Sequence, residues 1–463
     1  MGDSRSPIGD CGPMRGEFWL AGPSEEQRVS GTLEYEDGAF LLTIQTGAML
    51  GKPRQITVTQ GEASMLITHN SDPANVVADH APRTVHGTLD DGILVTLIDA
   101  HMSIHESASQ IFRGHRAVHG AHLTGPDPDV QEVRWAVRGV QMPGWHSQTP
   151  VKTRGGEIGP GDDDEPTGLA FRAEDPGSLR TMTERLPDAV DALVSLWTAR
   201  EAAHDLVRLR VPDGTWCGYE PIRAAIPHSD GSSLLPSGQL DLSTISRWIE
   251  LQPALGQIPF ITIAEQTILQ SDAHLMATAL EGLHRRLYRG AKPFKDLGSL
   301  GSRPLKEARS LAVRAAMDRL AQETLPDLEN ARQRFTSALS HINEPSYSER
   351  LKELLTPVLD VAPGLVGPSV GEWIKGMTAL RNDQSHQLDP TNTFEEDDIS
   401  EYYVLSVTAR WALRIRLLLE LVTPDAMSKA LHESITFAYA LAHVDKEGLW
   451  RNYSALATFR NSA

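Results

Sequence analysis

Alternation dominates the first third of the chain. Residues 29–35 and 40–44 place apolar side chains at every second position, and 36–38 (Glu-Asp-Gly) between them suit a tight hairpin turn. Residues 56–58, 65–67 and 93–98 are further short apolar segments. In 133–140, Val133, Trp135 and Val137 alternate with Arg134, Ala136 and Arg138. A period of two with one apolar face predicts antiparallel strands in a sandwich or an open barrel.

The period lengthens past residue 240. Met276, Leu280, Leu283 and Leu287 recur at helical spacing, as do Leu328, Phe335, Leu339 and Ile342, and then Leu351, Leu354, Leu355 and Val358. Ser346 with Glu349, and Ser369 with Glu372, have the spacing of a capping box. Trp373, Met377 and Leu380 extend the second of these into a core-facing stripe. Acids at 395–398 precede a helix over 399–421, where negative charge suits the N-terminus. That helix turns Tyr403, Val407, Trp411, Leu418 and Leu421 inward and also carries Arg410, Arg414 and Arg416. Helices of this length with short connections predict a bundle. The expected fold is α+β and multidomain. A β-rich, sandwich- or barrel-like domain occupies 1–155. An acidic linker, a helix near 186–206 and an irregular Pro/Gly/Ser-rich connection fill 156–238. A helical domain occupies 239–463.

Charge changes this picture locally. The 463 residues carry 43 basic and 61 acidic side chains, a net −18, which argues against a general polyanion binder. Residues 285–319 nevertheless hold ten Lys or Arg against three acids. Arg285, Arg286, Arg289, Lys292 and Lys295 are therefore candidate contacts to a nucleic-acid backbone, solvated helix ends being the alternative. Gly298 to Gly301 reads as a connection between basic helices. Cys11 and Cys217 are the only cysteines, as expected in a reducing cytoplasm. No run of 18 apolar residues and no secretory signal core are present, so no membrane association is expected. His101, His105, His115, His119 and His122 are zinc-competent side chains. In strands, however, His119 and His122 fall on opposite faces, and no cysteine or helical His-Glu frame supports them. No metal and no cofactor are expected. Neither a P-loop nor a dinucleotide fingerprint is present.

The residues with the most specific chemistry are Arg381-Asn382-Asp383-Gln384-Ser385-His386, which end the Trp373 stripe. A cation that keeps its proton beside an imidazole that exchanges one suits phosphodiester cleavage. Five positions on an ideal helix rotate His386 away from Arg381. The pair converges only if the helix ends or bends, or if a second copy supplies the facing half. A solvated surface pair is the alternative.

An Arg-Asn, three polar residues and a His late in a helical region resemble the HEPN ribonuclease motif. Phe18-Trp19-Leu20, Pro23 and then Val29-Ser30-Gly31-Thr32-Leu33 resemble the opening of the N-terminal domain of ApeA anti-phage proteins, which join such a domain to a C-terminal HEPN domain. The resemblance covers both ends of the chain and little of residues 45–240. It implies a HEPN-type bundle that pairs as a homodimer, with the apolar face around Trp373 and Trp411 contributing. It further implies metal-independent cleavage of RNA, tRNA among the candidates, in abortive infection. Arg381 would stabilise the transition state, His386 would act as acid and base, and Asn382 and Asp383 would orient them. The N-terminal domain would sense a phage-derived trigger. A non-catalytic binding or signalling protein, whose β domain recognises a phage product, is the alternative from a different class. A purely structural helical scaffold is a third.

Overall fold

The computed structural model describes residues 12–22, 27–36, 39–44, 57–61, 64–68, 82–104, 110–125, 127–139, 144–161, 168–221, 233–264, 266–290, 302–323, 327–340, 342, 344–383 and 396–462. The chain divides into two compact units, residues 1–251 and 252–463.

In the first unit, alternating apolar positions become strands β1 (Met14–Leu20), β2 (Val29–Glu36) and β3 (Ala39–Ile44). β4 (Thr57–Gly61) and β5 (Ser64–Thr68) pair with each other. β6 (Arg83–Leu89), β7 (Leu94–Ile104) and β8 (Gln110–Gly114) follow. The antiparallel order β7-β6-β1-β2-β3-β8 closes on itself, because β8 returns to pair with β7. The result is a closed barrel, which removes exposed strand edges. Phe18, Leu33, Phe40, Leu42, Val85, Leu97 and Phe112 are buried in its core. Gly87 is required beside Phe18, since a Cβ there would lie 2.5 Å from the ring.

β7 also pairs with β9 (Arg116–His119), and the sheet runs on from there. The further strands are β10 (Asp129–Arg138), β11 (Val151–Thr153), β12 (Gly156–Pro160), β13 (Gly168–Ser178), β14 (Ala203–Arg210) and β15 (Trp216–Pro221). Their order is β11-β12-β13-β10-β14-β15-β9. One face is an apolar row of Ile158, Phe171, Val133, Leu209 and Cys217, opposite one another across five strands and all buried. Helix α1 (Leu186–Thr198) packs against β14 on that side. The segment expected as linker and irregular connection thus supplies four strands of the sheet. The helix expected to reach 206 stops at Thr198, because Ala199 adopts the left-handed conformation (φ 56°) and the alternation of 203–210 is used in pairing with β10. Helix α2 (Leu242–Leu255) is fastened through Trp248, whose indole donates to Ala189 O at 2.6 Å.

The second unit is helical. It comprises α3 (Ile258–Ile263), α4 (Leu269–Leu287), α5 (Ser302–Leu320), α6 (Leu328–Ser340), α7 (Tyr347–Val361), α8 (Val370–Asp383), α9 (Glu396–Leu418), α10 (Pro424–Glu433), α11 (Ile435–Glu447) and α12 (Ala455–Arg460). Both capping signals are used. Ser346 and Glu349 form a complete box, and Ser369 Oγ accepts the Glu372 N–H. α9 is central, touching α4, α7, α8 and α11. Trp411, Leu418 and Leu421 are buried as expected. Tyr403 and Val407 are only half-buried, whereas Val404, Leu405, Ala412 and Ile415 are fully so. A helix surrounded on all sides has no single apolar stripe to read. α5 and α6 depart from expectation more sharply. Leu328, Phe335 and Ile342 are exposed, and each of these helices has the other as its main neighbour. Periodicity shows that residues share a face, not that anything covers it. Among the described residues no helix is long and apolar enough to cross a membrane.

Candidate active site

Arg381 occupies the last turn of α8. Trp373, Met377 and Leu380 anchor the helix in the core, and the Trp373 indole donates to Thr408 Oγ1 at 2.9 Å. One residue past Leu380, the Arg381 side chain emerges 39 % exposed. Its Nη2 lies 2.9 Å from Glu281 Oε2 on α4, and its Cζ lies 4.9 Å from the ring centroid of Tyr347 on α7. The other oxygen of Glu281 accepts from Arg285 Nη2 at 2.8 Å and Nε at 3.1 Å. One carboxylate thus joins two guanidiniums. Arg350 is buried nearby, its Nε donating to Pro345 O at 2.9 Å and its Nη2 3.6 Å from Glu344. Its pKa is lowered first by burial and then by Arg285, with Arg381 adding to the same effect against Glu281 and Glu344. Burial raises the Tyr347 phenol well above its usual range, so it stays protonated and donates to Ala277 O at 3.2 Å. Three cations around two carboxylates leave these groups one net positive charge.

The other sequence candidates fall differently. Asn382 is exposed beside Arg381, and Asp383 ends the helix. His386, Lys292 and Lys295 lie outside the described residues, as does the 298–301 connection. Arg285 joins Arg381, but Arg286 points elsewhere and donates to Ala254 O at 3.0 Å. Adjacent helix positions are turned about 100° apart, so a basic run in sequence is not a basic patch in space. Arg289 is exposed just beyond α4. Glu281, Tyr347 and Arg350 escaped the sequence reading. Only the four-residue spacing of Glu281 and Arg285 is visible there. His284 precedes Arg285 but is buried, stacked on Tyr288 and held at 3.0 Å from Glu353 Oε2, so it faces no substrate.

Of the zinc-competent histidines, His105 lies outside the described residues, and His119 and His122 have different partners. His119 lies over Gly218, and His122 stacks on His86 with centroids 4.8 Å apart. A different group, Asp188, Asp191 and His204, brings three ligand-type atoms within 4.8 Å. There Asp191 Oδ2 accepts from the His204 backbone N–H at 3.0 Å and lies 2.6 Å from its Nδ1. The arrangement ties α1 to β14.

Two family models match the chain. ApeA N-terminal domain 1 matches residues 13–139, which span the barrel from β1 into β10, and Apea-like HEPN matches 275–425, which contain Arg381 and its surroundings. The chain is an ApeA-like protein with a C-terminal HEPN domain. That family points to anti-phage defence, and HEPN domains are typically ribonucleases that commonly dimerise. No curated protein and no solved structure matches it. In this ApeA-like protein, strands β11–β15 lie beyond both matched spans.

Proposed function

We propose that this ApeA-like protein is a metal-independent HEPN endoribonuclease that cuts RNA, tRNA included, in abortive infection. The observation that carries this reading is the guanidinium cluster at the end of α8, inside the matched HEPN span and five residues before His386. The 2′-hydroxyl attacks the adjacent phosphorus while His386 handles its proton. The bond to the 5′-oxygen breaks as that oxygen gains a proton, leaving a cyclic phosphate and a 5′-hydroxyl. Arg381 neutralises the non-bridging oxygens as charge develops, and Arg285 adds to the field. Asn382 and Asp383 orient the pair or the RNA. Two chains pair through the helical unit, so that Arg381 and His386 of both line one cleft. The barrel unit senses a phage-derived trigger.

A binding or signalling role without catalysis is favoured by one observation: Arg381 already has a structural place against Glu281 and Tyr347. Incubating the purified chain with total cellular RNA in EDTA, and mapping the ends, separates the two. The nuclease reading expects cuts with cyclic phosphate and 5′-hydroxyl ends. Absence of cutting supports the binding role, and Mg²⁺-dependent cuts with 5′-phosphate ends overturn the mechanism.

A further inference from the structure

The outer face of the extended sheet carries a second cluster of guanidiniums in this acidic chain. Register pairing places Lys152, Glu157, Arg172, Glu132, Arg210 and Trp216 directly opposite one another across β11, β12, β13, β10, β14 and β15. In the neighbouring row, Arg134 stands opposite Arg208, and Arg208 opposite Gly218. Glu132 is 1 % exposed and lies beneath three guanidiniums: Arg134 Nε at 2.9 Å, Arg210 Nη2 at 2.8 Å and Arg172 Nε at 3.2 Å. One enclosed carboxylate therefore aligns three forks and neutralises one of them. Trp216, 39 % exposed, completes the set, with Arg134 Cζ 4.4 Å and Arg210 Cζ 5.7 Å from its ring centroid. Arg172 spends Nε on Glu132 and is 59 % exposed, so its Nη groups are open to a ligand.

A purely structural role accounts poorly for these residues. The apolar row on the opposite face already supplies the core, and one cation would balance the charge of the enclosed carboxylate where three are present. We propose that this face binds single-stranded nucleic acid. Arginine forks match phosphate oxygens in shape and charge. A row crossing six strands at about 4.8 Å spacing spans about 24 Å, the reach of a short oligonucleotide and longer than a single nucleotide requires. An exposed tryptophan among cations offers a stacking surface to an unpaired base, which a duplex would not present. Of the carboxylates on this face, Glu132 is enclosed and Glu220 lies 3.5 Å from His119, while Glu157 stands opposite Arg172 in register and Glu174 is exposed two positions along β13 from it.

The test uses the full chain and a fluorescein-labelled deoxythymidine dodecamer, which lacks the 2′-hydroxyl and so cannot be cut by the proposed reaction. Fluorescence anisotropy is expected to show binding that weakens with salt. Arg172→Gln with Lys152→Gln should weaken it at least tenfold and reduce the logarithmic salt slope by roughly 1.4. Trp216→Ala should weaken it by about the same factor, and Trp216→Phe should restore most of the loss. Melting curves show that each variant is folded, and the two glutamine substitutions lie at exposed positions. The ribose dodecamer on Arg381→Ala protein distinguishes RNA from DNA as the preferred ligand. No binding at low salt overturns the proposal, as does binding unchanged in folded variants. Binding lost instead with Arg381→Ala and Arg285→Ala would assign the oligonucleotide to the helical unit, whether or not that unit cuts RNA.

Discussion

At Arg381 and Arg285 two guanidiniums share the carboxylate of Glu281, while Arg286, the next residue along, serves a backbone carbonyl. These neighbours should therefore behave differently when truncated. Arg285→Ala is expected to lower kcat/KM for RNA cleavage roughly tenfold, about 1.4 kcal/mol, with little change in melting temperature. Arg286→Ala is expected to cost about 1 kcal/mol of stability and to leave cleavage per folded molecule unchanged. Cleavage rates and melting curves on both variants decide this. At this scale the sequence was legible where chemistry is local, as in the caps at Ser346 and Ser369. Arg381 is proposed from its spacing to His386. Glu281, Tyr347 and Arg350 were not legible, because they reach Arg381 only through the packing of α4, α7 and α8.

Among the elements, α3, α4 and α9 are locked by one cation. Arg410 donates to Thr262 O at 2.7 Å and is paired with Asp272, which also accepts from Ser406. Arg410→Met should cost about 3–5 kcal/mol, since it leaves the buried Asp272 carboxylate without its cation and the last carbonyls of α3 without this donor. Arg414, one turn on, stacks on Trp411, and burial followed by Arg410 brings its pKa down to about 10. Arg414→Met should be neutral within about 1 kcal/mol, because apolar packing replaces a desolvated charge. Urea unfolding followed by circular dichroism distinguishes the two. In the sheet, burial and then Arg208 hold the His119 pKa below 6.5. The unfolded chain thus takes up that proton first, and stability present above pH 6.5 is lost as pH falls toward the folded value. Wild type should lose more melting temperature than His119→Gln between pH 7.5 and 5.5. Strand alternation foretold β2, β3, β7 and β10. The closing β7–β8 pair was illegible, since closure is a long-range pairing that no local pattern encodes.

For the whole molecule, the segregation of strands from helices was readable from the change of period near residue 240. What covers each apolar face was not. Trp373 and Trp411, expected at a dimer contact, lie inside the helical unit. Ile435 and Tyr439 on α11 are instead 75 % and 65 % exposed. Pairing of two chains through this side predicts that Ile435→Glu with Tyr439→Glu yields monomers in analytical ultracentrifugation, with cleavage lost while the melting temperature is retained. A dimer that survives both changes places the contact elsewhere. In the proposed reaction Arg381 and His386 perform the chemistry. The most direct measurement is single-turnover RNA cleavage in EDTA by wild type and His386→Ala at matched folded concentration. The expected rate for His386→Ala is about 10²–10⁴ lower, with mass and melting temperature unchanged. Cleavage by His386→Ala at the wild-type rate would contradict the proposed reaction.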